Sequence, residues 1–208
     1  MSCEVSRQTA TSAQLRDMAG YFDRASLSWD SRSLFREETV RAVFAMLGSL
    51  NGSKILDVGC GTGVLFPTLL SLQPSHVTGL DLSYGMVCQA RKKFPESRRL
   101  SILQGDFYEF SGEGYDLITV YNAYPHFLDR RRFAWHAYDL LVPKGRLLVF
   151  HDLSRSCLNA LHRREGVCQV SSPLQSCENE AAYWRDLFQV DIAVDTEQMY
   201  VLSGVVKP

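Results

Sequence analysis

The sequence predicts an α/β fold: a doubly wound, mostly parallel seven-stranded sheet with an antiparallel C-terminal edge hairpin and an N-terminal helical cover. Three observations predict it. Short apolar runs alternate with longer helical segments at intervals of roughly 20–30 residues, the pattern of right-handed β-α-β units. A carboxylate and three alternating glycines, Asp57 to Gly63, follow the first of those runs. Two β-rich runs joined by the polar junction Asp195-Thr196-Glu197 close the chain as a hairpin.

In chain order, Leu15, Met18 and Tyr21-Phe22 mark a first helix. A polar break from Ser26 to Ser33 follows, and Val40, Val43, Phe44 and Leu47 then recur at helical spacing up to Gly48. The strands are expected at Lys54 to Val58, His76 to Leu80, Ser101 to Gln104, Tyr115 to Tyr121 and Arg146 to His151. Helices are expected from Ser154 to Arg164 and from Asn179 to Leu187, before the final runs Gln189 to Val194 and Gln198 to Val206.

Composition narrows the function classes. With 208 residues and 46% hydrophobic content, the chain suits one core rather than two. A formal net charge of -1 offers no general attraction to a phosphate backbone, so no nucleic-acid partner is expected. The arginine clusters at Arg98-Arg99, Arg130-Arg131-Arg132 and Arg163-Arg164 are expected on solvated surface. No leader or membrane span is expected, which implies a soluble, cytoplasmic protein, monomeric or homodimeric. The six cysteines form no C-x-x-C pair, and reduced thiols are the expectation.

The turn Asp57-Val58-Gly59-Cys60-Gly61-Thr62-Gly63 places a carboxylate at a strand end and lets a ligand approach bare main chain. A dinucleotide fingerprint needs its third glycine one residue later, where Val64 stands, which disfavours a nicotinamide cofactor. D-x-G-x-G-x-G after the first strand instead resembles the first motif of the class I S-adenosylmethionine-dependent methyltransferases, a Rossmann-like family. The resemblance implies S-adenosyl-L-methionine as cofactor, with the glycine turn on its methionine part. It further implies that Asp81, ending the second strand, accepts from the ribose hydroxyls. By the same resemblance Asp106 accepts from the adenine amine while Phe107 covers the ring. Cys60, Leu82, Met86 and Asn122 complete the implied cofactor set. Val142-Pro143-Lys144-Gly145 is similar to the family's L-x-P-G-G turn, with Lys144 replacing a glycine. Asp81-Leu82-Ser83-Tyr84-Gly85-Met86 with Ala90-Arg91-Lys92-Lys93 resembles the ubiquinone/menaquinone-biosynthesis C-methyltransferase group and its small-molecule relatives. On this basis residues 51–208 are the methyltransferase domain and residues 1–50 a helical cover belonging to it.

Ligands of open α/β sheets bind beyond the carboxyl ends of the strands, which puts a small-molecule acceptor among the loops after strands four and five. Tyr124 and His126 follow strand four, in a run that matches an N-P-P-Y-like motif poorly. His126 and His151 are the candidate bases, because imidazole titrates near neutrality. Arg155, Asn159 and His162 share one helical face and are expected to form a polar wall with them, while Leu158 and Leu161 point elsewhere. The stretch from His151 to His162 resembles an H-x-x-S-R-x-x-x-N-x-x-H pattern of bacterial family members. Tyr21 and Trp29 lie in a segment similar to the family's F-D-x-x-A-x-x-Y-D, which helps cover the site. Spacing of the histidines calls for no metal. Methyl transfer to a small molecule is therefore the expected activity. The alternatives are a catalytically silent S-adenosylmethionine-binding scaffold and an RNA or protein methyltransferase.

Overall fold

The computed structural model describes residues 11–32, 35–95 and 97–208. A seven-stranded sheet runs through it in the order β3-β2-β1-β4-β5-β7-β6. Its strands are β1 (Lys54–Val58), β2 (His76–Asp81), β3 (Leu100–Gln104), β4 (Tyr115–Tyr121), β5 (Leu141–His151), β6 (Phe188–Asp195) and β7 (Tyr200–Val206). The first five are parallel, and β7 pairs antiparallel with both β5 and β6. The expected sheet and C-terminal hairpin are both present.

Alternation along each strand feeds two cores, because successive side chains leave opposite faces. Leu56, Ile118, Val120, Leu147 and Val149 pack on one face with Phe133, Ala137 and Trp184. Ile55, Val77, Leu117, Leu148 and Phe150 pack on the other with Val43, Phe44, Phe66 and Val87. The helices α3 (Glu37–Ala45), α4 (Phe66–Ser71) and α5 (Tyr84–Lys93) supply that second layer, whereas α6 (Arg130–Leu140) supplies the first. The remaining helices are α1 (Ser12–Ala25), α2 (Trp29–Arg32), α7 (Arg155–Arg164) and α8 (Cys177–Ala181).

Several boundaries differ from expectation for physical reasons. The polar break after α1 is helical, a single 3-10 turn Ser26–Ser28 leading into α2, and Ser33 lies outside the described residues. Beyond Ala181 the expected helix tightens into turns, with Tyr183 N–H bonding to the Glu180 carbonyl and Trp184 N–H to that of Ala181. Those turns carry Trp184, fully buried, into the core, where its indole N–H donates to the Tyr124 hydroxyl at 3.2 Å. Burial of a large aromatic outweighs local helical preference here. Arg130 also departs from its expected surface position. It is 5% exposed and its Nε lies 3.3 Å from Oε2 of Glu180, which is wholly buried.

Strand β5 begins five residues early, since Leu141 pairs with Tyr115 before an irregularity brings Arg146 opposite Leu117. Inside that irregularity Lys144 adopts φ +65°, the left-handed conformation a glycine takes without strain. The turn therefore keeps its glycine-like shape although its residue is lysine. Lys144→Gly is expected to stabilise the fold by about 0.5–1 kcal/mol, a rise of roughly 1–4 °C in Tm, which thermal denaturation reads directly.

Candidate functional site

The carboxyl ends of β1, β2, β4 and β5 open into one cavity of about 850 Å³. That volume lies within the usual range of roughly 300–1,000 Å³ for ligand pockets. It sits where the strand order reverses, between β1 and β4.

One end of the cavity is built by the glycine turn. Gly59 (φ +70°) and Gly61 (φ +55°) both need the left-handed region. A Cβ on Gly59 would come within 2.6 Å of the Ala123 Cβ, whereas one on Gly61 would meet nothing within 4 Å. Gly59 is thus fixed by packing, and Gly61 by the backbone it presents to the cavity. The turn is pinned from β2: Gly59 and Cys60 N–H donate to the Leu80 carbonyl, and Gly61 N–H donates to Asp81 Oδ2 at 2.8 Å. The second Asp81 oxygen accepts Ser83 N–H at 2.8 Å. Each oxygen of an ionised carboxylate accepts about two hydrogen bonds, so capacity remains for a ligand's hydroxyls.

Asp57 is 1% exposed, and its Oδ2 finds no hydrogen-bond partner among the described residues. Burial, reinforced by the Asp81 charge, pushes its carboxyl up to about 8. Burial likewise raises Asp81, to about 6, against the pull of the Ser83 and Gly61 amides. Two neighbouring buried carboxylates form a site that favours a cation. Asp106 uses Oδ1 to cap the 3-10 turn Phe107–Glu109 through Tyr108 N–H, at 3.0 Å. It still lines the cavity with Phe107, Leu82, Met86 and Asn122. Of the turn residues, Gly63 alone is not on the wall. Its Cβ position is filled by the Phe66 ring, at 2.6 Å.

Much of the remaining wall is apolar. Leu15, Met18, Phe22, Phe127, Leu158 and Leu161 line it, together with Tyr21, Trp29, His126 and His162. His126 Nδ1 lies 2.9 Å from the Val170 carbonyl, which makes Nδ1 the protonated nitrogen and leaves Nε2 as an acceptor. Its ring packs edge-on against Phe22 at 4.9 Å and beside His162 at 5.3 Å. Burial lowers His126 to about 4, so the imidazole is neutral at physiological pH. Burial lowers His162 as well.

Four expected acceptor residues are placed elsewhere by packing. Tyr124 is fully buried between the Arg130 guanidinium, 4.2 Å from its ring centroid, and Trp184. His151 is fully buried on β5 off the cavity wall, a position that removes it as a candidate base, and burial lowers it to about 3. Arg155 pairs with Asp195 at 2.8 Å. Asn159 clamps the main chain of Leu174 with both ends of its amide, at 2.9 Å each. Leu158 and Leu161, expected to point elsewhere, face the cavity, so α7 is rotated from its expected orientation. The sequence reading missed Tyr121 and Asp152, which line the cavity joined by a 2.7 Å hydrogen bond. Asp152 directly follows β5, and a carboxylate at a strand end was the available signal.

The N-terminal helices are tied to three loops. Asp23 accepts Ser83 Oγ at 2.5 Å and Gly85 N–H at 2.8 Å, beside the start of α5. Asp30 accepts Thr62 Oγ1 at 2.5 Å within the glycine turn and pairs with Lys93 at 2.8 Å. Arg36 N–H donates to Asp152 at 3.2 Å. Among the described residues, no group of three or more His, Cys, Asp or Glu could hold a metal ion, and no helix is long and apolar enough to cross a membrane.

Residues 55–145 match a family described as a methyltransferase domain. The chain is 37% identical over 131 residues to a malonyl-[acyl-carrier protein] O-methyltransferase of Priestia megaterium, covering 59% of this chain and 47% of that one. It is 29% identical over 157 residues to a ubiquinone biosynthesis O-methyltransferase of Cronobacter sakazakii, covering 71% and 64%. The chain thus spans less than two thirds of the length of these relatives. Its fold is similar to that of magnesium protoporphyrin IX methyltransferase from Synechocystis with bound S-adenosylhomocysteine. The TM-score is 0.69 at 17% identity, over 93% of this chain and all of that one.

Proposed function

We propose that this chain, a relative of the class I S-adenosylmethionine-dependent methyltransferases, transfers a methyl group from S-adenosylmethionine to a small-molecule acceptor by in-line displacement. Residues 51–208 act as the transferring domain, residues 1–50 as its cover, and the cytoplasm is the place of action. The carrying observation is the buried, unpartnered Asp57 Oδ2 beside the open Gly61 backbone, with Asp81 and Asp106 at the next strand ends of the same cavity.

These residues fit the cofactor. A carboxylate with a free acceptor complements an ammonium group, the spare acceptor capacity of Asp81 suits a ribose diol, and Phe107 offers an apolar face to a purine. Gly59, Cys60, Gly61, Leu82, Met86 and Asn122 line the same space, and Gly63 shapes the turn behind it. When bound, the cofactor supplies a methyl group already activated by a sulfonium. What remains for the protein is to align the acceptor, exclude water and accept a proton where the acceptor carries one. The apolar wall, with Tyr21, Trp29 and His162, does the first two. Neutral His126 does the third through Nε2, its orientation held by Val170.

Calorimetry of S-adenosylhomocysteine binding, followed by a metabolite screen for adenosylhomocysteine release, tests the reading. Absence of binding overturns it, and binding without turnover across the screen points to a silent scaffold instead. For an acceptor found this way, His126→Ala is expected to lower kcat by about 10²–10⁴. Because burial holds His126 near 4, the wild-type rate is expected to persist on the acid side down to about pH 5, where an ordinary histidine would already be protonated. An acid limb near pH 6.5 that vanishes in His126→Ala contradicts this environment.

A further inference from the structure

The N-terminal segment from Phe22 to Asp30 repeats one pair, an aromatic residue followed by aspartate, at an interval of seven residues: Phe22-Asp23 and Trp29-Asp30. Seven residues make about two helical turns, and the backbone is helical throughout, so the two pairs share one side of the cover. Both aromatics line the cavity with their rings 5.7 Å apart, and Phe22 also packs edge-on against His126 at 4.9 Å. The aspartates bond instead to the loops that carry the glycine turn and Asp81.

Asp30 Oδ1 accepts the Thr62 hydroxyl at 2.5 Å, and Thr62 directly follows Gly61. Gly61 N–H donates to one oxygen of Asp81, and Ser83 N–H donates to the other. The Ser83 hydroxyl then donates to Asp23 Oδ1 at 2.5 Å. The contacts close a ring that runs from the cover through the glycine turn, Asp81 and the start of α5 back to the cover. Thr62 is 2% exposed and Ser83 wholly buried, so each hydroxyl finds its acceptor on the cover rather than in water. Gly85 lets the cover lie this close. A Cβ there would come within 2.8 Å of Ser26 Oγ and 3.0 Å of the Asp23 Cα, and Gly85 N–H is a further donor to Asp23 at 2.8 Å.

Gly61 and Asp81, inside this ring, are the groups that fit the cofactor. A ligand seated on them restrains Thr62 and Ser83, these restrain Asp30 and Asp23, and the residue before each aspartate is an aromatic of the cavity wall. Neither aspartate lines the cavity, so both act through their neighbours. We infer that Asp23 and Asp30 are positioning residues that make the two ligands cooperative: cofactor on Gly61 and Asp81 sets Phe22 and Trp29, and through Phe22 the His126 ring, for a flat apolar acceptor.

This inference rests on the proposed methyl-transfer reading, and one experiment separates the two. Calorimetry measures 1-naphthol, a flat apolar probe, with and without saturating S-adenosylhomocysteine, and S-adenosylhomocysteine with and without saturating naphthol. In the wild type each ligand is expected to tighten the other at least about fivefold, and both by the same factor, as thermodynamic reciprocity requires. In Asp23→Ala, Asp30→Ala and Thr62→Val that factor should fall to about twofold or less. Thr62→Val removes only the hydroxyl bonded to Asp30 at nearly constant shape, and it carries the test if an alanine variant fails to fold. A merely structural role would weaken the two ligands separately and leave the factor at its wild-type value in all three variants, which overturns the inference. Failure of the wild type to bind S-adenosylhomocysteine removes the functional reading itself. Saturable S-adenosylhomocysteine with naphthol that binds equally in its presence and absence, or not at all, overturns the cooperative coupling alone.

Discussion

Asp81→Ala is expected to weaken S-adenosylhomocysteine binding by at least about 100-fold. Its carboxylate has two tasks, and the substitution ends both. It holds Gly61 and Ser83 N–H at 2.8 Å each, fixing the glycine turn against the start of α5, and it keeps acceptor capacity for a diol. Hydrogen bonds to a charged group contribute about 1.5–3 kcal/mol apiece, so losing two predicts a factor of roughly 10²–10⁴. Gly61→Val should match it by a different route, since a β-branched residue at φ +55° is strained and its side chain projects toward ligand space. Calorimetry reads both, with far-ultraviolet circular dichroism to confirm folding. Loss of less than about fivefold in both variants would remove this end of the cavity as the cofactor site.

Glu180→Ala is expected to be strongly destabilising although it lies outside the cavity. Glu180 is wholly buried against the Arg130 guanidinium, which also donates to the carbonyls of Tyr124 (2.6 Å) and Phe127 and to Ser172 Oγ (3.2 Å). Truncation strands a buried cation, a loss of about 3–5 kcal/mol. At roughly 2–4 °C per kcal/mol for a chain of this size, Tm falls by about 6–20 °C. Glu180→Gln keeps an acceptor for the Gln175 N–H, 3.1 Å from Oε1, and should lose less. A fall below about 3 °C for the alanine variant would mean that the pair carries little of the fold.

The same ion pair shows where the sequence stops being informative. Arg130 stands first in a triple-arginine run, and nothing local separates it from Arg131 or Arg132. Its burial is decided by Glu180, fifty residues on, and by turns around Trp184 that exist only because the core accepts the indole. By contrast the strands and the set Asp57, Gly61, Asp81 and Asp106 were legible, because period-two alternation and strand-end chemistry are properties of short segments. The α7 helix lies between these cases. Its periodicity fixed which residues share a face, but its rotation is set by distant partners, Asp195 for Arg155 and Leu174 for Asn159. Apolar Leu158 and Leu161 were left to turn inward.

The ties from Asp23, Asp30 and Arg36 to Ser83, Thr62 and Asp152 reach the loops after β2, β1 and β5. Anything that steadies those loops also steadies α1, α2 and the start of α3, and the converse holds by linkage. Amide hydrogen exchange in α1 and α2 becomes a readout of occupancy at a site those helices only partly touch.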